Sequence, residues 1–206
     1  DYHHELEMIK DIRYMLDFVD VDKFNLDSLE YNILKSEAHC HKELGNYDNA
    51  YALYEEAKDF LENAEFSEEL FEILHLQSYC LYMSGDVEGT LNILNSLLEQ
   101  VSQSFVNRNL YIKTIALLSS VYDVTGNKNL QKQFFIEALD YYRENNLEQD
   151  YYILLRTASM IFGEELAIDM YESAEKYFRR QNSTRYLAEV LHNKATDQLY
   201  LGRITQ

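Results

Sequence analysis

The sequence predicts an all-α chain, a solenoid of antiparallel helix pairs, and three observations carry that expectation. Proline is absent and only 6 of 206 residues are glycine, so long helices run without breakers. Glycine recurs at Gly45, Gly85, Gly126, Gly163 and Gly202, a period of about 40 residues of the kind that marks repeat architectures. After each of the first four, apolar or small residues follow at helical spacing. They are Tyr47, Ala50, Tyr54 and Ala57; Thr90, Leu94 and Leu97; Gln131, Phe135 and Ala138; and Ala167, Tyr171 and Ala174. Glycine ends one helix in a conformation other residues avoid, and a short polar residue starts the next. A small, large, small stripe then lets two antiparallel helices approach and interlock.

Taken in order, an opening helix is expected near 4–19, apolar at Leu6, Ile9, Ile12, Leu16 and Val19, with an Asp-rich loop completing 1–27. Helix-pair repeats follow at 28–66, 67–107, 108–146 and 147–182. Their first helices lie near 28–44, 67–84, 108–125 and 148–162, and their second helices near 47–62, 87–102, 129–145 and 165–180. Ser28, Ser67 and Ser183 suit N-cap positions, since a hydroxyl can accept from an unpaired amide of the first turn. A further first helix near 184–201 ends at Gly202-Arg203-Ile204, so 183–206 reads as a truncated repeat. An open repeat exposes an apolar face that solenoid ends normally cap, and the chain opens on Asp1 rather than Met. Both features lead to the expectation of a fragment with further domains in the same polypeptide, or of order ending before the chain does.

Charge narrows the partners. The formal net charge is -18, from 36 acids and 18 bases, and such a surface repels phosphate backbones and anionic headgroups. Neither nucleic acid nor membrane is expected as a partner. With 47% apolar residues the chain can fill a core, yet no apolar run approaches bilayer-spanning length. Two cysteines, Cys40 and Cys80, form no CxxC, which fits a reducing compartment and a soluble, cytoplasmic protein.

The run Gly45-Asn46-Tyr47-Asp48-Asn49-Ala50, followed by Tyr54 and Ala57, resembles the G-[DN]-Y-x-x-A-x-x-x-Y-x-x-A core of the tetratricopeptide family. The resemblance is strong in the first unit, fair in the third and fourth and weak in the second. It implies a right-handed superhelix of stacked helix pairs that binds protein or peptide on its inner face. Two departures, a period longer than the family's usual length of about 34 residues and the absence of its proline, imply longer helices.

No motif for chemistry accompanies this pattern. His39-Cys40-His41 is the one cluster resembling a metal site, but residues two apart on a helix diverge by about 200°. Cys40 and Cys80 occupy the same place in successive repeats, five residues before the turn glycine, and are expected as small core residues. Phosphate-cradling, zinc-hydrolase and nucleophile-elbow motifs are absent. Carboxylate pairs such as Glu55-Glu56, Glu68-Glu69 and Glu164-Glu165 read as solvated faces or helix-start charges. No enzyme, cofactor or metal is expected.

By the tetratricopeptide resemblance, ligand-contacting side chains lie at set positions of the first helices. Carried over, these are Asn32, Lys35, His39 and Lys42 in the first unit, and Glu72, His75, Tyr79 and Tyr82 in the second. Lys113, Ala116, Ser120 and Asp123 follow in the third, Tyr152 and Arg156 in the fourth. The last helix contributes Glu189, His192, Thr196 and Leu199, with Asn193 nearby. This face is expected to be near neutral or mildly positive, with tyrosines for flat amphipathic contact.

Three readings of the function follow. Leu187–Ala195, after Tyr177-Phe178-Arg179-Arg180, resembles the long-period repeats that end bacterial signal-transducing NTPases of the STAND type, where the array senses a protein ligand. Repeats near 40 residues also resemble those of Rap-type peptide-responsive quorum-sensing regulators. The third is a passive scaffold or co-chaperone adaptor.

Overall fold

The computed structural model describes residues 1–16, 18, 26–61, 67–103 and 108–202, and among these every regular element is a helix. The chain divides into two compact units, Asp1–Thr114 and Ile115–Gln206. The first holds α1 (Tyr2–Leu16), α2 (Leu26–Glu43), α3 (Tyr47–Asp59), α4 (Glu68–Ser84), α5 (Val87–Gln103) and the start of α6 (Arg108–Thr125). The second holds the rest of α6, α7 (Lys128–Glu144), α8 (Glu148–Leu155), α9 (Ser159–Phe162), α10 (Glu164–Arg180) and α11 (Thr184–Tyr200).

In the first unit each helix packs on the next in sequence, α1 on α2, α2 on α3, α3 on α4 and α4 on α5. The expected stripe is the reason. Ala50, Tyr54 and Ala57 of α3 are fully buried against Leu34 and Ala38 of α2 and Ile73 and Cys80 of α4. Thr90, Leu94 and Leu97 of α5 are buried as completely. In the second unit Ala167, Tyr171 and Ala174 of α10 repeat the pattern, closing on Ala158, Phe178 and Val190.

The turns explain how the hairpins close. Gly85 sits at φ 89°, Gly85 N–H donates to the Tyr82 carbonyl, and Asp86 N–H reaches back to the Leu81 carbonyl at 2.9 Å. This pair of bonds satisfies the last carbonyls of α4. The same left-handed bend joins α7 to α8 and α10 to α11, where Asn146 (φ 57°) and Asn182 (φ 53°) supply it. Glycine alignment misses those two links because asparagine tolerates the conformation through its short polar side chain.

Several expected boundaries shift. The helix expected over 148–162 is interrupted: Thr157 and Ala158 N–H donate three residues back, to Leu154 and Leu155. Arg156 Nε and Thr157 Oγ1 also bond the carbonyls of Ile153 and Leu154. Side chains capture carbonyls that regular α-helix bonding would use, so the chain tightens before α9. Ser67 caps α4 by accepting from Leu70 N–H at 3.1 Å, as expected. Ser28 does not cap a helix, because α2 begins at Leu26 and places it in the first turn. Ser183 holds the N-cap position of α11 without a side-chain bond. Residues 17, 19–25, 62–66 and 203–206, which include the end of the opening helix, most of the Asp-rich loop and the last expected turn, lie outside the described residues.

One buried acid makes stability depend on pH. Asp197 of α11 is 6% exposed, and its Oδ2 has no partner. Burial raises its pKa, the Ser159 and Tyr171 hydroxyls oppose, and Glu164 adds to the rise. A folded-state pKa above the unfolded value favours the protonated fold, so the contribution is fullest below the unfolded pKa and is lost as pH rises through the folded one. Asp197→Asn is therefore expected to be more stable than wild type at pH 7, with the gap closing on acidification. Urea titrations of both proteins between pH 4 and 7 measure it, and a gap independent of pH counts against an ionised buried carboxyl.

Candidate functional site

Helical spacing puts residues 32, 35, 39 and 42 on one stripe of α2. In the structure Asn32, Lys35, His39 and Lys42 all line one cavity of about 700 Å³, together with Ser36 and Cys40. Glu72 and Leu76 of α4 form its second side, Tyr54 of α3 contributes from below, and Glu5, Met8, Ile9 and Ile12 of α1 form a wall. The α1 wall and Tyr54 were not among the expected site residues. Their signal was partly visible: α1 carries apolar residues on two faces. Ile9, with Leu6 and Leu16, docks against Ile33 and Cys40, whereas Met8 is 51% exposed and Met15 58%. Arg13 anchors the same helix through Glu30 at 2.5 Å and Glu37 at 3.1 Å.

The cations of this cavity are engaged within the chain. Lys35 Nζ meets Glu72 Oε2 at 2.5 Å and lies over the Tyr31 ring at 5.8 Å. Burial pulls its pKa down, and the bond to Glu72 more than offsets that, so the ammonium is held. Lys42 pairs with Glu43 at 2.9 Å and lies 5.8 Å from the Tyr79 ring centre. His39 meets Tyr2 edge-on at 6.0 Å, and burial, then the Lys42 charge, lowers its pKa against the pull of Glu43 and Glu5. The ring is neutral near pH 7.

Of the second-unit positions in the repeat pattern, His75 is half-buried and is not part of the cavity lining. Its Nδ1 is buried without a partner, and burial, then Lys113 and Lys42, push its pKa down to about 4. Tyr79 packs edge-on against Tyr47 at 6.2 Å, Tyr82 is half-buried, and Lys113 is exposed. Both cysteines are buried and free. Burial raises each thiol to about 11, which leaves both protonated at neutral pH.

In the Ile115–Gln206 unit, Arg156 pairs with Glu189, and Asn193 Nδ2 donates to the Arg156 carbonyl at 2.8 Å. Three expected residues, Arg156, Glu189 and Asn193, thus meet. Tyr152 spends its face on Tyr177, stacked at 4.4 Å, rather than offering it to solvent. Asp123, expected on the ligand face, turns to Lys128 at 2.6 Å and Gln131 at 2.7 Å. His192 is exposed and accepts at its carbonyl from Thr196.

Helices packed in sequence order through a stripe of small and large residues give a tetratricopeptide-like helical-repeat fold. The solved structures agree. The chain is similar to BtubC (BKLC) from P. vanneervenii, at 15% identity and a TM-score of 0.63, over 98% of this chain and 82% of that one. It is also similar to a Podosopora anserina protein described as a kinesin light chain with nearly identical TPR-like repeats, at 9% identity and a TM-score of 0.53, over 98% and 90%. At such identities the likeness is one of fold. No family model and no curated protein matches the sequence.

Proposed function

We propose that this chain is a protein- or peptide-binding repeat module, the ligand-sensing or regulatory arm of a larger bacterial signalling protein of the STAND kind. The observation that carries the binding reading is the meeting of Asn32, Lys35, His39, Lys42 and Glu72 around one open cavity. In this recess polar side chains of α2 and α4 face an opening that the helix packing leaves unfilled. Ion-paired lysines and a neutral histidine suit a peptide chain, whose amides need both donors and acceptors. A net charge of -18 disfavours nucleic acid as the partner, and no described helix is long and apolar enough to cross a membrane.

A Rap-type peptide receptor or an adaptor would use the same face. An attached effector domain in the full polypeptide separates a sensor from an adaptor.

Charge reversal tests the face. Glu56, exposed on α3, serves as the outer-surface control, whereas its neighbour Glu55 accepts from the buried Gln77. With a partner captured from native extract, Lys35→Glu combined with Lys42→Glu is expected to weaken binding by about tenfold or more, and Glu56→Lys by less than about twofold. Equal effects in a calorimetric titration remove the assignment.

A further inference from the structure

Helix α1 is held differently from the helices it joins. Of its 15 residues only Ile9 is buried, whereas α4 buries Phe71, Ile73, Gln77, Ser78 and Cys80 and α3 buries Ala50, Tyr54 and Ala57. Its packing is one-sided: Ile9, with Leu6 and Leu16, lies on Ile33 and Cys40 of α2, while Met8, Ile12, Tyr14 and Met15 remain exposed. Its ion pairs, Arg13 to Glu30 and to Glu37, join side chains that keep between 21% and 35% of their surface, and pairs so exposed add little to stability. A helix of this length is marginal alone, so α1 owes its order to one thin contact. Elements with few buried apolar contacts open at the lowest free energy.

The place of α1 gives such opening a consequence. When docked, Met8, Ile9 and Ile12 wall the recess whose floor is Asn32, Ser36 and His39 of α2 and whose far wall is Glu72 and Leu76 of α4. Tyr2 meets the His39 ring, and Glu5 accepts from Cys40 Sγ at 3.4 Å. Undocking removes this wall and uncovers Ile33 and Cys40, now buried beneath it. The neighbouring core of Leu34, Ala50, Tyr54, Ile73 and Cys80 contains no residue of α1, so it stays shut when α1 lifts.

We propose that α1 is a strap that opens and closes as a unit over the α2 face, independently of the core formed by α2, α3 and α4. A peptide segment seated against Met8 and Ile12 touches them only when the strap is closed, so occupancy draws α1 shut. The strap rests on the reading of the α2 face as a binding surface and regulates access to it.

The chain carries its own reporters. Cys40 lies under α1, Cys80 lies in the separate core, and both thiols are free. Pulses of iodoacetamide on the full chain, read thiol by thiol by peptide mass spectrometry, are expected to modify Cys40 on the order of 100-fold faster than Cys80, since a local opening outpaces the global one. Hydrogen exchange of the same chain is expected to run ahead over α1 relative to α3 and α4. Arg13→Glu sets a carboxylate against Glu30 and Glu37 at a half-buried site. It is expected to speed Cys40 modification about fivefold and Arg13→Gln about twofold, with Cys80 unchanged in both. Equal rates at the two thiols, exchange of α1 in step with α3 and α4, or a Cys40 rate that Arg13→Glu leaves unchanged overturns the strap. Neither readout needs a partner, so such a failure leaves the α2 face standing. Charge-insensitive partner capture removes that face as a binding surface and leaves the motion of α1 intact.

Discussion

Tyr171→Ala is expected to cost the Ile115–Gln206 unit about 3–5 kcal/mol, the range for removing a large buried ring. Tyr171 is fully buried between Ala167 and Ala174, against Ala158 and Val190, and the alanines on either side cannot move in to fill the space. Loss of the ring also takes away the hydroxyl that bonds Ser159. Urea unfolding should show a lower midpoint at unchanged slope; a loss below about 1 kcal/mol would mean that α10 is not held by this side chain. The phenylalanine variants divide the effect further. Tyr171→Phe is expected to cost about 1–2 kcal/mol, because it strands Ser159, while Tyr54→Phe is expected to be neutral or stabilising by up to about 1 kcal/mol, because it removes an unbonded hydroxyl.

Ala50→Leu carries the second large expectation, a loss of about 1–3 kcal/mol through overpacking. Ala50 is fully buried where α3 lies against α2 and α4, beside Leu34, Ala38 and Ile73. Three extra carbons there must separate two helix pairs at once, or force side chains off their preferred rotamers. The same substitution at Ala52, exposed on the opposite side of α3, is expected to change stability by less than about 0.5 kcal/mol. Thermal melts of the two variants compare them directly, and similar melting temperatures would deny the close approach.

Helix placement was readable along the chain to within a few residues, since a recurring glycine and a repeat of small and large residues are local properties of sequence. Positions 32, 35, 39 and 42 share a face on any helix that spans them, and in the structure all four line one cavity. What escaped was the tightening at Arg156–Ala158, where an arginine and a threonine side chain take carbonyls from the helix. Ser28 escaped for a related reason: a hydroxyl suited to capping also fits the first turn, and sequence does not say which; Ser183 does hold the N-cap position of α11, though its hydroxyl makes no capping bond.

The opposite bonding of Tyr54 and Tyr171 marks the limit most clearly. Periodicity assigns both phenols to the core, correctly, because burying an aromatic ring depends on which side of one helix it occupies. Whether the buried oxygen finds a partner depends on a side chain delivered by another element: Ser159 reaches Tyr171, and nothing reaches Tyr54. Likewise the amphipathic pattern of α1 predicts a helix, but its two apolar faces compete, and docking through Ile9 on Ile33 and Cys40 turns Met8 and Ile12 toward the cavity. Spacing along one chain is a one-dimensional quantity, and the meeting of groups from separate helices becomes definite when those helices pack.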